Sequence, residues 1–345
     1  MVPLNESEHD EREAEAREGW LTRRLEELKR LPLMPGVHLG EEIERLTSRL
    51  KTLRHEKRRH DAWLTVQIAR EKDRPRTRDY IALLIEGFEE LKGDRLRADD
   101  PAIVGGLGWF GGQAVVVIGH QKGRTFDEQQ VHNFGMARPE GYRKAQRLFR
   151  LAERHKLPIF TFVDTPGAYP GIAAEEGGQA RAIAETMRNM ARLSVPVIAT
   201  VIGEGGSGGA LALALADRVL MQENATYSVI SPEGCAAILW RDAEFAPEAA
   251  EALRPTASQL LALNVIERVV KEPRGGAQNN PVHAANELRQ ALRETLAELV
   301  AIDPAARRAQ RRERFRKLGA FSEGSVAGAV INALPSLSPR PQRDF

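Results

Sequence analysis

Short apolar runs rich in valine and isoleucine recur through the middle of this 345-residue chain, and they constrain its fold more than any other feature. Such runs are typical of strands that are buried on both faces of a sheet. Helical patterns separate them, as in residues 139–156, where apolar residues recur at helical spacing. Because strand and helix alternate, the sequence predicts an α/β fold with a largely parallel sheet and right-handed crossovers. The predicted strands are AVVVIGH (114–120), PIFTFVD (158–164), VPVIATVI (195–202), RVLM (218–221) and YSVI (227–230).

Two of the predicted strands run directly into glycine-rich turns. The turn Thr165–Gly171 follows the run 158–164, and the turn Gly203–Gly209 follows the run 195–202. The carboxyl ends of parallel strands meet at one edge of a sheet, where α/β folds bind ligands, so we expect the two turns to lie side by side. Small residues there leave backbone N–H groups at a helix start open to a substrate oxygen.

The second turn also fits other patterns. Between Gly203 and Gly208 it contains G-x-G-x-x-G, with Glu223 at the distance of a ribose-binding acid, as in dinucleotide-binding turns. Such a site would more usually use the first strand of its domain. Ser207 lies in G-x-S-x-G, the nucleophile elbow of serine hydrolases, but the histidine that follows it, His283, matches no motif. A packing role for the glycines is a further alternative.

The first turn contains a partial GTPase pattern. Asp164 to Gly167 match the D-x-x-G loop of that class. A GTPase also requires an upstream G-x-x-x-x-G-K-[ST] phosphate loop, and the sequence contains none. The sequence therefore excludes this class.

The charge composition does not favour a polyanionic partner. Fifty basic residues stand against 48 acidic ones, a net charge of +2, so neither a nucleic acid nor an anionic membrane is required. No apolar stretch reaches membrane-spanning length, and the acidic N-terminus is unlike a secretory signal. The single cysteine, Cys235, excludes an internal disulfide and a cysteine-based zinc site. We therefore expect a cytoplasmic protein that binds no metal.

Four segments are predicted along the chain. Residues 1–18 are acidic and are predicted to be disordered, and residues 321–345 form a flexible tail. Residues 19–74 are predicted to form a helical hairpin, which must pack on the main body or on another subunit. Residues 75–320 form the main domain, which is helical again over 281–318. The apolar seam of the second hairpin helix, at spacings of three and four residues, consists of Leu39, Ile43, Leu46, Leu50 and Leu53.

Long strings of the chain resemble one family, the alpha subunits of the bacterial acetyl-CoA carboxylase carboxyltransferase. The resemblance is dense over about residues 74 to 240, and strings of this length are far more specific than a pattern of three glycines. The matching strings are RPRTRDYI, GDRLRADDPAIVGGLG, VVVIGHQKGR, NFGMARPEGYRKAQRL, LPIFTFVDTPGAYPGI, EEGGQ, VPVIATVIGEGGSGGALAL and TYSVISPEGCAAILW.

This resemblance implies a crotonase-like α/β fold, in which ββα units stack into a spiral, and an N-terminal helical hairpin. It implies an α2β2 carboxyltransferase that moves the carboxyl group of carboxybiotin to acetyl-CoA, giving malonyl-CoA for fatty acid synthesis. Biotin would arrive on a separate biotin carboxyl carrier protein, because this chain has no Met-Lys-Met acceptor. The family's beta subunit carries a four-cysteine zinc ribbon and most coenzyme A contacts, and biotin carboxylase completes the larger complex. The alternative on the same fold is a self-sufficient acyl-CoA hydratase or hydrolase.

The resemblance also implies how the reaction is catalysed. The ureido oxyanion left by carboxybiotin and the enolate of acetyl-CoA both need preorganised donors. In the family the biotin ureido group is thought to act as the base, so no acidic side chain is required for proton transfer and Glu204 is not expected to be a base. The residues expected to supply or shape the anion site are Gly205, Gly206, Gly208, Gly209, Gly167 and Ala168, with the amides of Gly208 and Gly209 nearest the helix start.

Basic residues cluster beside glycines in GHQKGR and in NFGMARPEGYRKA. They are suited to bind coenzyme A phosphates or a carboxylate, but salt bridges at helix starts would explain them equally well. These candidates are Lys122, Arg124, Arg138, Arg143 and Lys144. A further basic run, residues 306–319, is interpreted as a solvated helix face because few aromatic residues interleave it.

Overall fold

The computed structural model describes residues 19–27, 29 and 39–319, so the predicted segments 1–18 and 321–345 lie outside the described residues. The chain divides into two compact units, with the boundary between Leu64 and Thr65. In the first unit, helix α1 covers residues 19–27 and helix α2 begins at Leu39. Leu21 and Leu25 of α1 form a buried cluster with Leu46 of α2. The two helices therefore contact each other through part of the predicted apolar seam.

The second unit alternates strands and helices, as the sequence predicts. No described helix combines the length and the apolar character that a membrane span requires. The elements from the hairpin onward are α2 (Leu39–Arg70), α3 (Thr77–Leu84), β1 (Glu86–Glu90), β2 (Ile103–Phe110), β3 (Gln113–His120), α4 (Phe126–Val131), α5 (Pro139–His155), β4 (Ile159–Thr165), α6 (Ile172–Glu176), α7 (Gln179–Arg192), β5 (Val197–Gly206), α8 (Ser207–Ala214), β6 (Arg218–Gln222), β7 (Thr226–Ser228), α9 (Pro232–Leu239), α10 (Ala246–Leu253), α11 (Ala257–Ala262), β8 (Arg268–Val270), α12 (Pro281–Val300) and α13 (Pro304–Arg316).

In the described part of the chain the strands form one mixed sheet. Its order is β1-β2-β3-β4-β5-β6-β8, and β7 pairs with the end of β5. All pairings from β3 onward are parallel, whereas β1, β2 and β3 pair antiparallel. Each predicted strand therefore has a counterpart, although β7 ends at Ser228, within the predicted run 227–230. The predicted parallel arrangement applies to the part of the sheet that these strands form.

Helices cover both faces of the sheet. On β3, Val115 and Val117 contribute to a core with α3 and α12, while Val116 and Ile118 contribute to a core with α5, α7 and α8. Side chains alternate between the faces of a strand, so a strand buried on both sides needs apolar residues at every position. This explains the uninterrupted valine and isoleucine runs.

The sequence pattern does not predict the antiparallel strands β1 and β2, because β2 is rich in glycine rather than in β-branched residues. A Cβ on Gly106 would overlap the carbonyl of Glu89, and a Cβ on Gly108 would lie 3.1 Å from the carbonyl oxygen of Glu86. Glycine therefore allows β1 to approach the backbone of β2 closely.

The interpretation of residues 306–319 as a solvated face is wrong for one side of α13. Arg307, Arg311 and Arg314 are directed into the protein and donate hydrogen bonds to backbone carbonyls just before β5 and β8 and at the end of α12. Arg311 is 1 % exposed and pairs with Asp217 through two bonds of 2.8 and 2.6 Å. The arginines of this side therefore satisfy carbonyls inside the protein.

Candidate active site

The two glycine-rich turns lie next to each other at the carboxyl ends of neighbouring parallel strands. Strand β4 ends at Thr165, and strand β5 ends at Gly206, immediately before α8. The strands pair along their length, and Thr165 is in register with Gly205. The two turns therefore meet at one edge of the sheet, as the sequence predicts.

Contact between the turns depends on glycine. A Cβ on Gly206 would overlap the carbonyl of Pro166, and a Cβ on Gly209 would lie 2.6 Å from the amide nitrogen of Ala168. Gly208 differs, since a Cβ there would meet only Ile183, at an ordinary 3.9 Å. Gly206 and Gly209 therefore serve close backbone approach.

Some backbone N–H groups at these turns are hydrogen-bonded within the protein, and others are not. Among the described residues, the N–H groups of Ala168, Gly208 and Gly209 have no hydrogen-bond acceptor. The N–H groups of Gly208 and Gly209 belong to the first turn of α8, where helical amides lack an acceptor and the helix dipole favours an anion. In contrast, the amide of Gly167 donates to Thr165 Oγ1 at 3.1 Å.

Gly205 and Gly206 are placed differently from the helix-start glycines. Both lie within β5 and pair with β7, and Gly205 is also in register with a residue of β4. Their backbone groups therefore belong to the sheet. Of the six candidate residues, Ala168, Gly208 and Gly209 are therefore the ones whose backbone N–H has no acceptor among the described residues.

Ser207 stands between the two groups of glycines. It has a positive φ of 52° and is exposed, as the G-x-S-x-G pattern would suggest. Its hydroxyl makes no hydrogen bond within the described residues, however. His283 lies in the first turn of α12, which covers the opposite face of the sheet from α8. Within the part of the chain that the structure describes, Ser207 thus has no base bonded to it.

A charged network lies beneath the turns. Lys122 Nζ contacts Glu204 Oε2 at 2.6 Å and Asp164 Oδ1 at 3.0 Å. Arg70 pairs with Glu204 at 2.7 Å and with Glu233 at 2.5 Å. The cation of Lys122, a candidate for anion binding, is therefore neutralised by carboxylates of the protein itself.

Glu204 is held in its ionised form. Burial would raise the pKa of its carboxyl, but Lys122 and Arg70 outweigh burial and lower the pKa below its ordinary value. A general base working near neutral pH needs a pKa closer to 7. This environment agrees with the expectation that Glu204 is not a base.

A cavity of about 220 Å³ opens beside the first turn. One wall is Phe134, which lies in a segment where Asn133, Phe134 and Gly135 all have positive φ. Such backbone conformations are costly for residues other than glycine and cluster at functional sites. The lining residues are Arg70, Arg76, Lys122, Gln129, Phe134, Pro166 and Glu204.

Three of the other four basic candidates form salt bridges with other segments, whereas Arg138 lies against Tyr169 of the first turn. Lys144 is 1 % exposed and pairs with Asp99, and Arg143 pairs with Asp94 and Glu140. These two side chains serve salt bridges around the start of α5. The remaining two are exposed: Arg124 pairs with Asp79 at 2.8 Å, and the guanidinium of Arg138 lies 5.0 Å from the ring centre of Tyr169.

Sequence reasoning misses the two arginines that complete the network, Arg70 and Arg76. Arg70 is the last residue of α2, and Arg76 precedes α3 and bonds to Asp164 at 2.9 Å. Their partners are 88 to 163 residues away along the chain. Arg76 does lie in the string RPRTRDYI, which resembles the family, but the string does not indicate that Asp164 is its partner. Among the described residues, no three His, Cys, Asp or Glu side chains are grouped as a metal site would require.

The family model and the similar curated proteins that match this chain carry closely similar descriptions. A family model described as acetyl co-enzyme A carboxylase carboxyltransferase-like matches residues 11–319. The acetyl-coenzyme A carboxylase carboxyl transferase subunit alpha of Thermus thermophilus is 54% identical over 304 residues, which covers 88% of this chain and 96% of that protein. The subunit of the same name from Bordetella avium is also 54% identical, over 88% of this chain and 95% of its own length.

Solved structures share the fold at low identity. The transcarboxylase 12S structure has a TM-score of 0.52 and 20% identity, covering 64% of this chain and 41% of that chain. The beta subunit of P. aeruginosa geranyl-CoA carboxylase has a TM-score of 0.51 and 18% identity, covering 72% of this chain and 44% of that chain. The Pseudomonas malonate decarboxylase hetero-tetramer has a TM-score of 0.52 and 18% identity, covering 64% and 90%. The crotonase-like fold class predicted from the sequence is confirmed.

Proposed function

The chain belongs to the acetyl-CoA carboxylase carboxyltransferase family, in its alpha-subunit branch, whose enzymes transfer a carboxyl group to acetyl-CoA, and from this membership we propose how it does so. We propose that the chain supplies one side of a shared active site, with carboxybiotin as donor and acetyl-CoA as acceptor. Its contribution is an anion site made of backbone amides at the two touching turns.

The proposed reaction needs an anion site and no side-chain base. Cleavage of the N–CO2 bond of carboxybiotin releases CO2 and leaves the electron pair on the ureido group. That group then takes a proton from the acetyl methyl, and the resulting enolate carbon attacks CO2 to give malonyl-CoA. Negative charge therefore develops on a ureido oxygen and then on a thioester oxygen, where fixed donors lower the barrier.

One observation carries the proposal. The amides of Ala168, Gly208 and Gly209 have no acceptor among the described residues. Those of Gly208 and Gly209 lie in the first turn of α8, at the positive end of the helix dipole. Loss of one donor of this kind costs about 3 kcal/mol in the barrier, or roughly a hundredfold in rate. The lowered pKa of Glu204 supports the absence of a side-chain base.

The proposed partner is a beta subunit that completes the site in an α2β2 complex. Exposed apolar side chains in the segment that follows β7, the strand paired with the end of β5, support this: Val229, Ile238 and Leu239 are 74%, 71% and 57% exposed. Exposed large apolar side chains are typical of surfaces that bind another protein. We further propose that carboxybiotin arrives on a biotin carboxyl carrier protein charged by biotin carboxylase, in the cytoplasm.

The alternative enzyme on this fold is a self-sufficient acyl-CoA hydratase or hydrolase. Hydration needs a carboxylate free to exchange protons, whereas Glu204 at the second turn is held ionised by two cations. Hydrolysis through Ser207 needs a base, and its hydroxyl bonds to none of the described residues. These observations favour carboxyl transfer.

The test mixes the full chain with a beta subunit of the family and follows conversion of malonyl-CoA to acetyl-CoA with biocytin as carboxyl acceptor. We expect turnover in the mixture that requires biocytin, and none with either subunit alone. Turnover of acyl-CoA by the alpha chain alone would favour the hydratase or hydrolase, and an inactive mixture with both subunits folded would contradict the proposal.

A further inference from the structure

Asp164 is a fully buried carboxylate that joins the ends of β4 and β5. Its Oδ1 accepts hydrogen bonds from the backbone N–H of Glu204 at 3.1 Å and from Lys122 Nζ at 3.0 Å. Its Oδ2 accepts from Arg76 at 2.9 Å. A carboxylate with no exposed surface and three donors is rigidly held.

This carboxylate lies where the ladder between the two strands is interrupted. Val163 is in register with Val201, but Thr165 is in register with Gly205. Two steps along β4 therefore correspond to four along β5, so the ordinary ladder does not hold the strands together here. The bond from Glu204 N–H to Asp164 connects the strands inside this gap.

The surrounding glycine leaves room for the carboxylate. A Cβ on Gly203 would overlap Asp164 Oδ1. Glycine at this position thus lets the backbone of β5 reach the side chain of Asp164 directly. The first glycine of the G-x-G-x-x-G string therefore serves the aspartate and not a phosphate.

We propose that Asp164 is a positioning residue for carboxyl transfer: it fixes the end of β5 against the end of β4, so that the amides of Ala168, Gly208 and Gly209 converge on one anion. The inference rests on the proposed function. Its physical basis is that donors in an anion site must be held within a fraction of an ångström of their working geometry, and about 1 Å of displacement costs roughly a hundredfold in rate.

The cations around Asp164 have a second role in this arrangement. A bare carboxylate beneath an anion site would oppose the charge that develops there. Burial would raise the pKa of Asp164, but Lys122 and Arg76 more than compensate and hold the pKa well below its usual range. The carboxylate is thus ionised, but the positive charges of Lys122 and Arg76 compensate its negative charge. It therefore holds the strands together without repelling the anion.

The test measures kcat and KM of the αβ complex for malonyl-CoA with biocytin, for the wild type and three alpha variants. In Asp164→Asn we expect kcat to fall about 100-fold with KM for malonyl-CoA nearly unchanged. In Gly203→Ala, which keeps the charge but displaces the carboxylate, we expect a similar fall in kcat. The matched control is Asp217→Asn. Asp217 is also buried, pairs with Arg311, and accepts the Val197 N–H at the start of β5.

Asp217→Asn is expected to lower the unfolding midpoint as Asp164→Asn does, and to leave the kcat of the folded complex unchanged. The inference is overturned if Asp164→Asn or Gly203→Ala retains wild-type kcat, or if Asp217→Asn loses as much kcat as they do. If Asp164→Asn does not fold, Gly203→Ala decides. An inactive wild-type complex would instead contradict the proposed function, so the two failures are distinguishable.

Discussion

Gly206 and Gly209 bring the two turns into contact because neither carries a Cβ that would meet the opposite backbone. The sequence predicts that the two turns lie side by side, but it leaves a packing role for these glycines only as an alternative, because close contact depends on the geometry of both turns. The sequence does not predict that the Gly167 amide donates a hydrogen bond to the Thr165 hydroxyl, because this bond depends on the detailed geometry of the turn. Likewise Lys122 resembles an anion-binding residue until the fold brings Glu204, 82 residues away, next to it.

His120 gives a prediction about pH at the scale of one residue. Its ring is fully buried, and neither ring nitrogen has a hydrogen-bond partner among the described residues. Burial lowers the pKa of His120 to about 4, while an unfolded histidine titrates near 6.5. Between these values the unfolded chain binds more protons, so stability falls as the pH falls. We expect the free energy of unfolding to drop by about 2 kcal/mol from this group between pH 7 and pH 5.

Urea denaturation of the full chain at both pH values measures this drop, and variants isolate the contribution of His120. His120→Gln should lose about 2 kcal/mol of the pH dependence whatever its stability at pH 7. His155→Gln, at an exposed position at the end of α5, should retain the wild-type dependence. An unchanged pH dependence in His120→Gln would show that the buried ring is not its source.

At the scale of elements, α13 shows how a basic helix can be structural. Its residues 307, 311 and 314 recur every three or four positions and so share one face. That face lies along the amino ends of the strands, where carbonyls of the segment Met190–Val195 need donors. The sequence predicts the helix but not this role, because a run of arginines carries no apolar pattern that distinguishes a buried face from a solvated one.

Arg311 is therefore predicted to matter far more for stability than the adjacent Arg312. Arg311→Met leaves the buried carboxylate of Asp217 without its cation, and removing one partner of such a pair costs about 3–5 kcal/mol. The free energy of unfolding, measured by chemical denaturation, should fall by this amount.

Arg312→Met is the matched control on the exposed face of α13, and it should change stability by less than about 0.5 kcal/mol. Equal effects of the two substitutions would contradict the structural role of the inner face. A larger effect of Arg312→Met would reverse the assignment of the faces.

For the whole molecule, the alternation of strands and helices predicts the parallel part of the sheet and the edge where both turns meet. It does not predict β1 and β2, since their pairing relies on glycines that resemble a loop. The family resemblance supplied the fold class and the activity, which no single motif in the chain determines. We retain the predicted division into a helical hairpin at 19–74 and a carboxyltransferase domain at 75–320 as a proposal.

The central claim is that backbone amides, and not a side chain, stabilise the anion. Three substitutions at adjacent positions of the second turn separate these possibilities in the assembled αβ complex. Gly209→Ala presses a Cβ against Ala168, and Gly208→Ala places one at an ordinary contact distance from Ile183. Ser207→Gly removes the hydroxyl and suits the positive φ at that position.

The decisive measurement is kcat for biocytin-dependent conversion of malonyl-CoA to acetyl-CoA by these three folded complexes. The account predicts a loss of about 100-fold for Gly209→Ala and at most about threefold for Gly208→Ala and Ser207→Gly. Wild-type kcat in Gly209→Ala, or abolished turnover in Ser207→Gly, would contradict it.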